Sequence, residues 1–272
     1  HDALPISGQG AGCAFMLERG VRGDFAIIAK PGWSVAWEEV GLCWFKVNVR
    51  GEWNYTGVRH VVKGRNPIVH AAKVISQLEE WFSEYTKNNT SGLVAPQGSI
   101  NAIQSGWTQK PAFVPAACHV YVDVRISPRV NPAAAKRQFG EAIESIVKAN
   151  PELSVEWEMI LGIPGSCTDP NNWIVRSCVR AWEFVEGKKH SPRTGTSGAT
   201  DANILRAAGI PTARLGMPRP AVAGGERRNK FSMDRSNSAG MKQLTKCLVY
   251  AAVDTCTRDR HEVLQSAGAK DP

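Results

Sequence analysis

The chain has 272 residues, 43% hydrophobic and 21% charged, the balance of an ordinary globular protein. Its formal net charge is +8, but the basic residues are dispersed and no Lys/Arg stripe alternates with stacking aromatics, so nucleic acid is not an expected partner. No apolar run approaches the roughly 18 residues that cross a bilayer, so no membrane span is expected.

The seven cysteines are scattered without a C-x-x-C pair, which argues against a disulfide framework or zinc ribbon and fits a reducing cytoplasm. Residues His1 to Ser7 lack an initiator Met and the basic-then-apolar profile of a signal peptide, and are expected to be the ragged start of an incomplete chain. The apolar run from Asp24 to Ala29, closed by Pro31-Gly32, predicts a buried strand and turn.

From Leu42 to Val49, alternation puts Cys43, Phe45, Val47 and Val49 on one face of a strand, with Lys46 and Asn48 on the other. A loop from Gly51 to Gly64 leads to a helix opened by Asn66-Pro67, with Ile68, Ala71, Ala72, Ile75, Leu78, Trp81 and Phe82 at helical spacing. Strands follow at Ser99 to Ser105 and at His119 to Ile126. In the latter, Val120, Val122, Val124 and Ile126 oppose His119, Tyr121, Asp123 and Arg125. Asn131-Pro132 opens a second helix with Phe139, Ala142, Ile143, Ile146 and Val147 inward, and Leu153 to Ile160 is the closing strand. The order β-α-β-β-α-β is the split-βαβ, ferredoxin-like pattern.

Beyond Thr168 the pattern changes. A helix carrying Ile174, Val175, Cys178, Trp182 and Val185 precedes a Gly/Ser/Thr-rich loop at Thr194 to Thr200. A short helix at Ala202 to Ala208, a strand at Thr212 to Leu215, and a last helix burying Met241, Leu244, Leu248 and Ala252 follow. The fold class read from this is α/β with an inserted ferredoxin-like domain. Residues 1–41 and 163–272 form the two parts of one α/β domain, and residues 42–162 form the insertion.

Few groups in the chain suggest chemistry. Two-metal hydrolysis needs clustered His and carboxylates, yet no two of the six histidines stand at i, i+4 spacing and no H-x-D or H-E-x-x-H occurs. Glu38-Glu39 reads as surface charge near a strand end, because adjacent strand residues point to opposite faces. The loop Thr196-Ser197-Gly198-Ala199-Thr200-Asp201 is built of small residues, with Asp201 placed to cap the next helix. It is either a backbone nest for a carboxylate or a capped loop with no ligand. Arg125 near a strand end either pairs with a substrate carboxylate or makes a surface ion pair, and His60 lies in the loop before the first long helix.

Four stretches resemble the dinuclear-zinc metallopeptidase and deacylase family of acetylornithine deacetylase, succinyl-diaminopimelate desuccinylase, carboxypeptidase G and aminoacylase-1. They are MLERGVRGDFAIIAKP before residue 32, GRNPIVHAAKVISQLEEW from Gly64, VPAACHVYVDVRISPRV from Val114, and SGATDANILRAAGIPTARLGMP from Ser197. The resemblance implies a zinc-exopeptidase-like catalytic domain (1–41 and 163–272) and a lid and dimerisation domain (42–162). It implies hydrolysis of amide bonds in N-acyl amino acids or small peptides, two Zn2+ per complete subunit, and a homodimer through the lid.

By the same resemblance Arg125, Asn101, Ser197, Gly198, Thr200 and Asp201 bind substrate, and His60 stands nearest the position of a catalytic lid His. The likeness is incomplete at the metals: Lys30 occupies the expected Glu ligand position, and no His stands at Phe231 to Asp234, where a final ligand is expected. The isolated chain is therefore expected to be inactive. The alternative is a non-catalytic relative that lost its metals and serves as a binding or dimerisation protein.

Overall fold

The computed structural model describes residues 10–30, 32–218 and 238–265. Its elements begin with helix α1 (Ala11–Glu18), strands β1 (Ala26–Ile28), β2 (Glu38–Glu39), β3 (Gly41–Arg50) and β4 (Asn54–Tyr55), and helix α2 (Pro67–Asn89). Strands β5 (Gly98–Ser105), β6 (Phe113–Val114) and β7 (Ala117–Ile126), helix α3 (Pro132–Ala149), and strands β8 (Ser154–Ile163) and β9 (Ser166–Cys167) follow. Helices α4 (Trp173–Glu186) and α5 (Ala202–Ala207), strand β10 (Thr212–Arg214), and helices α6 (Ser238–Cys256) and α7 (Arg260–Gln265) complete the chain. These fall into two compact units, Val40–Gly165 and the described parts of 1–39 with 166–272.

In the unit Val40–Gly165, antiparallel strands run in the order β5-β7-β3-β8, the ferredoxin-like arrangement. Alternation decides which face is covered. Val120, Val122, Val124 and Ile126 from β7 and Cys43, Phe45, Val47 and Val49 from β3 are buried together with side chains of α2 and α3. Phe45 stacks on Phe139 of α3 with ring centroids 4.0 Å apart. Both helices start as their Asn-Pro pairs dictate: the Asn66 and Asn131 side chains accept from the Ile68 and Ala134 amides, and Pro fills the first helical position.

The face of α2 turns slightly from its expected phase. Ala71, Val74, Leu78, Phe82 and Tyr85 are buried, while Ile68 and Ala72 are exposed. Tyr85 earns its place with a hydroxyl that donates to the Arg125 carbonyl at 2.8 Å. Gly41 opens β3 where a Cβ would stand 2.2 Å from the Ile163 carbonyl oxygen and 2.3 Å from the Gly165 amide nitrogen, so only glycine fits there.

In the second unit, β1 pairs in parallel with β10 and β2 pairs antiparallel with β9. Helices α4 and α6 pack through Ile174, Cys178, Ala181 and Trp182 against Cys247 and Ala251. The last helix also differs from expectation in phase: Gly240, Cys247 and Ala251 are buried and Met241 and Ala252 are exposed. Leu244, expected on the inner face, does pack against this cluster, together with Tyr250.

Candidate functional site

The chemistry of the second unit begins at β2. Glu38 and Glu39 are both buried, at 3% and 1% exposure, which corrects their reading as surface charge. A two-residue strand covered from both sides has no solvent face, and buried charge then requires partners. Glu39 has two: Arg214, leaving β10, lies 3.3 Å away as an ion pair, and the Thr200 hydroxyl donates to Oε2 at 2.5 Å. Lys30, just after β1, donates its ammonium to the Ala199 carbonyl at 2.6 Å.

The loop before α5 is thus held by both its backbone and its side chains. Thr200, not Asp201, serves the start of α5: its hydroxyl accepts from the Ala202 amide, whereas Asp201 makes no side-chain cap bond. A Cβ on Gly198 would come 3.3 Å from Arg214 Nη1, a close approach that favours the small residue. Beneath α5, Arg206 donates to the Thr168 hydroxyl, the Thr212 carbonyl and Ser166, and burial lowers its pKa from the ordinary arginine value. The Ser166 hydroxyl donates to Asn203. This polar floor fixes α5 and, through it, the loop of Ser197, Gly198, Thr200 and Asp201.

On the other unit, the sheet face away from the helices carries His119, Tyr121, Asp123 and Arg125 from β7 beside Lys46 and Asn48 from β3. Arg125 makes an ion pair with Asp123 at 2.9 Å and keeps its side chain part-exposed. Three buried polar atoms on this face, Asp123 Oδ1, His119 Nδ1 and Asn48 Oδ1, lack a hydrogen-bond partner. Asn101 sits at a bulge of β5 and accepts from the Ser99 hydroxyl at 2.8 Å, so its amide is used locally. His60 is exposed in the turn that follows the short 3-10 segment Thr56–Val58. Arg125 and the Ser197 loop belong to different units.

The buried cysteines behave as packing groups. Desolvation raises the thiols of Cys43 and Cys178 to about 12 and that of Cys247 to about 11, well away from the thiolate a metal needs. Among the described residues no three of His, Cys, Asp and Glu converge as a metal would require. The expected ligand position at Lys30 holds a cation engaged with Ala199. The described residues therefore do not fit a zinc pair. The Phe231–Asp234 stretch, where a last His ligand is expected, lies outside the described residues.

Comparison with known proteins bears on both units. Residues 38–151 match the family model of the M20 peptidase dimerisation domain. Over that stretch the chain carries an M20 peptidase dimerisation domain.

Solved structures repeat the fold. Aminopeptidase PepT from Bacillus cereus is 17% identical with a TM-score of 0.59, covering 92% of this chain and 62% of its own. Human carnosine dipeptidase 1 is 14% identical with a TM-score of 0.63, covering 94% and 64%. The dipeptidase Dug1p from Saccharomyces cerevisiae is 14% identical with a TM-score of 0.57, covering 85% and 58%. The M20-type α/β fold with its lid and dimerisation domain is shared with them, and the chain spans less than two thirds of the length of each. None of the described helices is long and apolar enough to cross a membrane.

Proposed function

We propose that the complete protein is a metal-dependent hydrolase of amide bonds in N-acyl amino acids or small peptides, working as a homodimer through its lid. The observation that carries this reading is the ferredoxin-like unit, matched to the M20 dimerisation domain, inserted in an α/β unit whose structural neighbours are named as peptidases and amidases. Two zinc ions per complete subunit remain part of the proposal. The described residues supply substrate contacts and not the metal site, so the 272 residues alone are proposed to be inactive.

In this reading Arg125, part-exposed beside Asp123, offers a planar pair of N–H donors to a substrate carboxylate. Considered by itself, the small-residue loop of Ser197 and Gly198, next to Ala199 and Thr200 held by Lys30 and Glu39, is proposed to offer backbone groups to a substrate. The Thr200 hydroxyl and the Asn101 amide already serve the fold, and they are proposed as substrate contacts only through their backbone.

A second reading rests on one specific observation. Lys30, a cation where a carboxylate ligand is expected, is tied to Ala199, which suits a relative that kept the fold for binding or dimerisation and gave up its metals. Hydrolysis of a panel of N-acetyl amino acids and dipeptides by the complete protein, with and without a chelator, tests the first reading. Light scattering on the same preparation, with a monomer mass as the contrary result, tests the dimer. The cytoplasmic assignment is likewise a proposal, tested by fractionation.

A further inference from the structure

At one end of the ferredoxin-like sheet, where β3 and β5 finish and β7 begins, residues 51–65 and 106–113 fold together as a lobe. Strand β4 pairs with β6, the Thr56 amide donates to the Ala112 carbonyl, and the Asn54 side-chain amide donates to the Val62 carbonyl. The Trp53 ring stacks on Phe113 with centroids 5.1 Å apart, Tyr55 meets the same ring at a tilt, and the Lys110 ammonium lies 5.3 Å over it. The two loops are thus held by contacts with one another.

What the lobe shows to solvent sets it apart. Trp53 is 65% exposed, Val61 71% and Trp107 69%, and Tyr55, Val58 and Val62 are exposed too. These are six of the eighteen large apolar side chains exposed among the described residues, gathered on two short loops. Exposed singly, such residues need no explanation, but a cluster of them marks a surface that meets something. The same loops carry four cations, Arg59, Lys63, Arg65 and Lys110, and a single acid, Glu52, which pairs with Arg65 at 3.0 Å. Arg59 and Lys63 are exposed, and neither makes an ion pair among the described residues.

We propose that this lobe is a membrane-surface docking site that lays its tryptophans and valines among the headgroups of a bilayer carrying anionic lipid. Indole rings favour that boundary, where an apolar body meets lipid and a polar edge meets water. Peripheral binding grows with the apolar area inserted and with the cations around it, each worth about fivefold near an anionic surface. A nucleic acid would use the aromatic rings and the cations but gains nothing from three exposed valines. A second copy docking face to face would set the same cations against one another, with the one carboxylate of the lobe already committed to Arg65. The inference does not rest on the hydrolysis proposed above, and the dimer proposed there then uses another part of the unit.

The test is co-sedimentation of the chain with vesicles, equal parts phosphatidylserine and phosphatidylcholine against phosphatidylcholine alone. Binding to the anionic vesicles should be about tenfold tighter or more, and should weaken as sodium chloride rises from about 0.1 M to about 1 M. Val61→Asp places a carboxylate at an exposed position that the fold does not need, and should lower binding by about tenfold or more. Trp53→Phe combined with Trp107→Phe keeps two aromatic rings and should still bind. In that variant bromine-labelled lipid should quench tryptophan emission far less than in wild type, because the inserted indoles are gone.

Equal binding to the two vesicle types, or binding to neither, overturns the proposal, and that readout needs no variant to fold. So does Val61→Asp bound at the wild-type level, or quenching that survives the double Phe variant, since another surface then meets the lipid. Light scattering on Val61→Asp addresses the rival occupant. A mass equal to that of wild type is expected; a fall to half of it assigns the lobe to a second copy of the chain and overturns the proposal, however the vesicles behave.

Discussion

Glu39 and Arg214 make the most exposed-to-test pair in the chain because neither can turn to water. The Glu39 side chain is fully buried and that of Arg214 is 14% exposed. Arg214→Met would leave the carboxylate with only the Thr200 hydroxyl, and breaking a buried pair on one side costs about 3–5 kcal/mol. Urea unfolding of the second unit should show that loss; a change under 1 kcal/mol would mean water reaches Glu39. Arg125 is the opposite case, part-exposed and paired only with Asp123. Arg125→Ala should weaken binding of a carboxylate ligand by roughly tenfold or more, about the worth of one charge-assisted hydrogen bond, with an unchanged circular dichroism spectrum. Unaltered affinity in calorimetry would reduce Arg125 to a surface charge. Sequence pattern located Arg125 on the polar face of its strand, but misread Glu39 as surface charge. Its partners Thr200 and Arg214 lie far away in the chain, and no local spacing encodes such a pairing.

The strands and helices themselves were far more readable. Period-two alternation in β3 and β7 and the Asn-Pro starts of α2 and α3 are local signals, and they fix the ferredoxin-like unit almost residue by residue. Where reading failed, it failed in phase. In α6, Met241 seemed to belong inside, yet the residues that pack with α4 are Cys247 and Ala251, with Leu244 and Tyr250 beside them, and Met241 is exposed. The two-residue strands β2, β4, β6 and β9 were invisible because they are too short for any period to repeat. Gly41 is an element-level test of the lid. Gly41→Ala would drive a Cβ into the backbone of residues 163–165 and should part β3 from the end of β8, lowering the melting temperature. A melting temperature within 1 °C of wild type would show that this corner yields at about no cost.

Taken whole, the chain pairs a well-specified ferredoxin-like unit with an α/β unit whose buried Glu39 is held by Arg214 and Thr200. The first unit matches the M20 peptidase dimerisation domain, and among the described residues no three His, Cys, Asp or Glu side chains converge on a metal position. Lys30, tied to the Ala199 carbonyl, is the residue on which the proposed hydrolase and the proposed binding relative divide. Elemental analysis of the complete protein, purified without chelator and assayed in parallel on N-acetyl amino acids, decides between them. Close to two zinc ions per complete subunit are expected from the family resemblance, with hydrolysis abolished by chelation and restored by zinc. Less than one metal ion per chain, with no hydrolysis of any substrate in the panel, would contradict it.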